Sequence, residues 1–422
     1  MPKNITEKDL KRGQFMYLLE AALEYLISIL VAGSFLATLT KALGFTDSLT
    51  GILSSVISLG CLFQMLSVFY RPKQVKKLVL FMSVLNQLLF MLLYVIPVFS
   101  FSAKTKTILF IVFIFLAYLI YNFAHPKKMN WLMSLIDDHH RGRFTADKEI
   151  LSLLTGMAFS YGMGTLTDYF SEKGQTRTAF ILSAAVIFLL MLFHTLTMLL
   201  TPEPHRTDKP VSSLKATLRD LVHNKNILHV TILFMLYYMA MYIATPFYGT
   251  YQIQELGFSL KLVSILTIAM SLVRIACSRF WGAYADKNSF AKMIRLCLLF
   301  LSACYLFASF AVPANGTVMF LLYYLCHGIA QGGINSALTN LVFDYAPYET
   351  RSDSLAVCQA ASGLCGFLAT LLGSRLVSHI QASGNTFLGF PLYAQQVMSA
   401  IACCITIGAV FYTSAAFRRK EA

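Results

Sequence analysis

Along almost its whole length the chain alternates apolar runs of twenty or more residues with short polar clusters. About 20 mostly apolar residues suffice for a helix to cross the ~30 Å hydrocarbon layer of a bilayer. With Gly, Pro and charge clusters as punctuation, the pattern predicts twelve spans, at 14–40, 49–70, 78–100, 107–135, 147–170, 178–201, 227–250, 260–281, 292–312, 318–345, 354–380 and 395–417. Several exceed the minimum, which predicts tilt or projection past the membrane surface. The longest polar connection, 202–226, divides the spans into two groups of six, an N-terminal bundle at 1–201 and a C-terminal bundle at 227–422. Inside it Leu214, Leu218 and Leu221 follow Ser212 and Ser213 at helical spacing, which predicts a short amphipathic helix on the inner membrane surface.

Composition sharpens this picture. Of 422 residues, 57% are hydrophobic and 13% charged, against roughly 45–50% and 25% in soluble domains. A soluble enzyme, a disordered chain and a disulfide scaffold are thereby excluded. The net charge of +14 would suggest nucleic acid on a soluble protein; here the positions of the charges decide. With the N-terminus inside, 26 of the 34 basic residues, Lys127 and Lys128 among them, fall on the cytoplasmic face and 6 outside, with Arg274 and Arg375 left within spans. This asymmetry predicts both termini in the cytoplasm and no nucleic-acid partner. The polar N-terminus runs into the first span without a small-residue cleavage site, so that span is expected to act as the insertion signal. All nine cysteines lie in apolar runs and read as small buried hydrophobes.

A shift of 210 residues superposes Asn130 on Asn340, Arg141 on Arg351, Ala146 on Ala356 and Gly156 on Gly366, at equivalent places in the two halves. After the eighth span, Gly282, Asp286 and Lys287 keep the spacing of a loop motif, with Ser289, Phe290 and Ala291 departing from it; the matching loop in the first half, from Tyr70 to Lys77, keeps only its basic end. On these residues the chain resembles the major facilitator superfamily. The resemblance implies a fold of two pseudo-symmetric six-helix bundles, all-α and membrane-embedded, that moves a solute by alternating access. It implies gating roles for Gly282, Asp286 and Lys287, and for Arg141 and Arg351 in the inner loops that follow spans 4 and 10.

Ionisable groups are costly in hydrocarbon, so those inside spans are functional candidates. Glu20, Glu24 and Ser28 share one face of span 1, with Glu24 about 15 Å above the inner boundary by helix rise. Span 10 carries His327, Gln331 and Asn335 on one face, span 7 carries Tyr238, Tyr242 and Thr245 before Pro246, and span 4 carries Tyr118, Asn122 and His125 before Pro126. The resemblance implies that spans 1, 4, 7 and 10 line the central cavity. Glu24, Glu20, His327 and Arg274 are therefore the expected coupling residues, and Asn122, Tyr238, Tyr242, Gln331 and Asn335 the expected solute contacts. Arg274 in span 8 requires a counter-charge, for which Glu20 or Glu24 would serve. His194 reads as a structural or lipid-interface residue, and Asp168 and Arg375 as groups that snorkel to water.

No phosphate-binding loop of the GxxxxGK[ST] kind, no HExxH and no GxSxG occurs, so neither ATP-driven transport nor hydrolysis is expected, nor any cofactor or metal. The expected protein is a monomeric secondary transporter in a cell membrane, as in a bacterial inner membrane, that moves a small organic solute with a coupling ion, the proton. A proton-driven exporter of drugs or lipids, suggested by the 14% aromatic content, and a permease-like sensor that does not transport are the alternatives.

Overall fold

A computed structural model of the chain describes residues 7–60, 63, 74–136, 141–203, 224–346, 351–387 and 389–417. The expected amphipathic helix of the central connection and most of the loop from Tyr70 to Lys77 lie outside the described residues. The helices are α1 (Glu7–Leu30), α2 (Gly33–Ala42), α3 (Asp47–Ser54), α4 (Val75–Val95), α5 (Ala103–Met133), α6 (Arg141–Glu172), α7 (Thr176–Leu200), α8 (Lys225–Ala244), α9 (Leu260–Lys287), α10 (Phe290–Ser309), α11 (Gly316–Tyr345), α12 (Arg351–Ala382) and α13 (Ala394–Ala416). A two-residue hairpin, β1 (Thr386–Phe387) with β2 (Phe390–Pro391), precedes α13. Among the described residues, eleven helices are long and apolar enough to cross a bilayer. The second expected span starts as α3 and runs into residues outside those described. Large apolar side chains stay exposed along these helices, for example Phe188, Leu192, Phe193 and Leu196 on α7. Acyl chains are the solvent that suits such a surface, because every backbone polar group there is bonded within its own helix.

Three local expectations change. The first span is two helices rather than one, broken at Gly33, whose φ of 52° is a left-handed conformation open to glycine at low cost. The helix before Pro246 gives way to a 3-10 turn at Thr245–Phe247, and the path then continues through a π-helical turn, Tyr251–Glu255. The motif Gly282 to Lys287, expected as a loop, is the last part of α9; Ser289 then caps α10, its hydroxyl accepting the Lys292 N–H at 3.1 Å.

The duplication is visible in the backbone. The described parts of α6 and α12 run from Arg141 and from Arg351, the pair brought together by the sequence shift. Gly156 of α6 and Gly366 of α12 each lie under a tyrosine ring, of Tyr25 on α1 and Tyr242 on α8: an added Cβ would stand 2.4 Å and 2.9 Å from these rings.

The chain forms two compact units. One comprises Met1–Phe45, Phe63–Lys209 and Ser259–Ser264, the other Thr46–Leu62, Pro210–Phe258 and Ile265–Ala422. In the first, α1 packs on α6 and α7, and α4 on α5 and α7. The first turn of α9 belongs to it, held by Asp168 of α6, whose carboxylate accepts the N–H groups of Leu260 (3.1 Å) and Lys261 (2.7 Å). Asp168 is thus a helix cap, a more specific role than snorkelling. Asp168→Ala should destabilise the chain by about 1 kcal/mol, as loss of an N-cap does, while Asp168→Asn, which keeps an acceptor, should recover most of it; thermal unfolding in detergent measures both. In the second unit, α8 packs on α12 and α13, and α10 on α11 and α13. Here α3 lies against α12: Ser48 and Ser374 hydroxyls are 2.5 Å apart, Ser58 donates to the Gly363 carbonyl at 2.8 Å, and the Gln381 amide donates to Asp47 at 2.8 Å.

Candidate functional site

Three helices of the first unit converge on one charged cluster. Glu20 and Glu24, a turn apart on α1, both bind the ammonium of Lys128, which projects from α5. His194 of α7 closes the other side, its Nε2 3.0 Å from Glu20 Oε1. Glu20 and His194 are each 1% exposed and Lys128 5%, whereas the side chain of Glu24 retains 23%. The two carboxylates therefore differ: Glu20 is enclosed with two partners, and Glu24 holds Lys128 alone and faces an opening. One turn before Glu20, Tyr17 enters an apolar layer with Val79, Trp131, Leu132, Leu135 and Met198, which keeps water from that side of the ion pair.

Glu20, Glu24 and His194 place one donor atom each within 4.8 Å of one another, a spacing open to a metal ion. In this structure the Lys128 ammonium meets both carboxylates and supplies the positive charge. The counter-charge of Glu20 and Glu24 is thus Lys128 of the same unit, in place of the expected Arg274, which is half-buried on α9. Lys128 itself, counted at first among cytoplasmic loop charges with Lys127, is a buried residue of a membrane helix; Lys127 too is buried, its ammonium 5.7 Å from the ring centre of Phe123. His194 is buried rather than at the lipid interface, and it meets Glu20 of α1. A signal for Lys128 was present in the sequence: Tyr118, Tyr121, His125 and Lys128 follow at i, i+3, i+7 and i+10 and share one helix face.

The remaining expected residues distribute as follows. Asn122 is buried, and its amide donates to the Tyr118 carbonyl of its own helix at 2.9 Å. In the second unit, Tyr238 and Tyr242 stack on α8 with ring centres 5.7 Å apart. Gln331 of α11 donates to the hydroxyl of Tyr237 at 2.8 Å, so Tyr237, missed by the spacing argument, joins this polar face. His327 stacks on Tyr323 at 5.4 Å, with Nδ1 3.3 Å from the sulfur of Met270 and Nε2 without a hydrogen-bond partner. Gly282 is exposed near the end of α9, and Lys287 is its last residue. Arg141 and Arg351 are the first described residues of α6 and α12. The side chains of Asn335, Asp286, Arg141 and Arg351 lie outside the described part of the structure.

Membrane-length helices in two compact units, with an enclosed charge cluster in one of them, define a polytopic membrane transport protein. The chain belongs to the major facilitator superfamily, whose family model matches residues 16–370. Solved structures agree on the fold. The nucleoside transporter NupG is 13% identical, with a TM-score of 0.68 over 97% of this chain and 99% of that one. The POT family transporter PepTSo is 11% identical, with a TM-score of 0.70 over 99% of both chains. The D-xylose–proton symporter is 13% identical, with a TM-score of 0.64 over 94% of this chain and 96% of that one. No functionally curated protein matches the chain by sequence.

Proposed function

We propose that this chain is a proton-coupled secondary transporter of a small organic solute, working by alternating access with both termini in the cytoplasm, and that Glu24 is its coupling carboxylate. The observation that supports this reading is the unequal sharing of Lys128. Protonating Glu20 would weaken two contacts in a dry site, those to Lys128 and His194, while protonating Glu24 weakens one and leaves Lys128 paired with Glu20. Glu24 is also the carboxylate that retains an exposed surface through which a proton can arrive. Its proton changes the charge of the cluster, and a change of charge at low dielectric shifts the balance between conformations that enclose the cluster and those that hydrate it. Solute contacts come from the aromatic and amide face of the second unit, Tyr237, Tyr238, Tyr242, Gln331 and His327. The xylose–proton symporter among the structural neighbours is consistent with proton coupling on this fold.

The test is accumulation in proteoliposomes of a solute found by thermal-shift screening. Glu24→Gln should lose accumulation driven by a pH gradient and keep solute exchange across the membrane. Full accumulation in that variant overturns the assignment.

A further inference from the structure

Beside Glu24 a small cavity opens, with ≈ 10 Å³ of free space for water-sized bodies, enough for about one water or one ammonium group. Glu24, Lys128, Tyr121, His125, Asn86 and Gln87 line it. Asn86 is committed elsewhere, its amide donating to the Ala117 carbonyl at 2.8 Å. Gln87 is not: it is 2% exposed and its Oε1 has no hydrogen-bond partner. An unmet buried acceptor is expensive, typically 1–3 kcal/mol, so this one points to a donor that the chain itself does not supply.

The charges of the cluster point the same way. Two carboxylates face one ammonium. The carboxylates thus outnumber the one ammonium that binds them. His194 Nε2 lies 3.0 Å from Glu20 Oε1 and its Nδ1 has no partner. Glu20 Oε2 also lacks a partner. Among the described side chains of the cluster and cavity, the unmet atoms, Gln87 Oε1, Glu20 Oε2 and His194 Nδ1, are all able to accept. Lys148 of α6 lies 5.6 Å over the ring centre of Tyr17, close enough to interact electrostatically with Glu20 and Glu24.

We propose that this cavity is a head-group subsite for an organic ammonium, and that the transported solute carries such a group. The inference rests on the transporter reading above and names its solute class. The ammonium donates to Gln87 Oε1 and Glu24 and offsets the surplus charge, with the rest of the solute outside the cavity. A carboxylate or phosphate head group brings acceptors to acceptors and a second surplus negative charge, and is excluded. A neutral alcohol satisfies Gln87 and leaves the charge unbalanced. Around Glu24 the titratable and charged groups are Lys128, His125 and Tyr121 on α5, Glu20 and Tyr17 on α1, His194 on α7 and Lys148 on α6; protonation of Glu24 itself removes the surplus and with it the preference for a cation.

The experiment is thermal unfolding of the purified full chain with n-butylammonium, n-butanol and butyrate at about pH 8. n-Butylammonium should raise the midpoint, and butanol and butyrate should not. The shift should vanish in Glu24→Gln, and shrink in Gln87→Leu, which keeps every charge. Stabilisation by butyrate in the wild-type chain, or an n-butylammonium shift that survives Glu24→Gln unchanged, overturns the proposal. Because the wild-type comparison of three probes needs no variant, poor folding of Glu24→Gln leaves the test intact. Loss of the ammonium preference with pH-gradient-driven accumulation still dependent on Glu24 would sink the solute class and leave the transporter reading standing.

Discussion

Lys128→Met should be the most damaging single substitution in the first unit, lowering stability by about 3–5 kcal/mol. The replacement keeps most of the apolar stem of the lysine and removes its ammonium. Glu20 and Glu24 would then face each other a helical turn apart, with Glu20 1% exposed and its remaining partner the ring of His194. Two carboxylates in a dry site cannot both stay ionised without a counter-charge, so the unit must take up protons, admit water or open. The triple variant Lys128→Met, Glu20→Gln, Glu24→Gln removes the charges together and should recover most of the loss, because a neutral hydrogen-bonded cluster of similar volume is tolerated where an unpaired charge is not. Thermal unfolding and the folded yield after detergent extraction read both variants. A single variant as stable as the wild type would show that Lys128 is not the counter-ion.

Gly328→Leu should fail comparably in the second unit, by about 3 kcal/mol or more. On α11, Gly328 and Gly332 lie a turn apart against the backbone of α9: a Cβ at Gly328 would stand 2.5 Å from the Met270 carbonyl oxygen, and one at Gly332 3.1 Å from that of Arg274. Close backbone approach through small residues is how membrane helices associate, since lipid provides no hydrophobic drive between them. The obstacle is main chain rather than a movable side chain, so relief requires α9 and α11 to separate. Even Gly328→Ala should be destabilising. Gly282→Ala on α9, where a Cβ meets nothing within 4 Å, is the matched control and should be neutral or stabilising, as expected of Gly→Ala in a helix interior. Equal behaviour of the two alanine variants would remove the packing argument.

The spans and the duplication were legible because each is a property of neighbouring residues. Apolar runs of membrane length survive in the structure as helices, and the 210-residue shift that pairs Gly156 with Gly366 reappears as a tyrosine ring against each glycine. Gly328 and Gly332 stand beside His327 and Gln331 in the sequence, but the helix they pack against cannot be read from it. The break at Gly33 escaped notice because an uninterrupted apolar run hides a local backbone reversal. Lys128 was misread because a lysine in the inner part of a span reads as a cytoplasmic charge when its partners lie on another helix. His194 was misread because its partner Glu20 is 174 residues away.

By itself, the sequence determined that this chain lives in a membrane as bundled helices and which ionisable residues are carried into it. Hydrophobicity sums over some twenty consecutive positions, so it can be read along a line. The tertiary structure alone decided which of those charges meet. Pairing depends on distances of a few ångströms between helices far apart in the chain; Glu24 and Lys128 are separated by 104 residues. In a medium of low dielectric that encounter turns a costly residue into half of a cluster that can hold a proton.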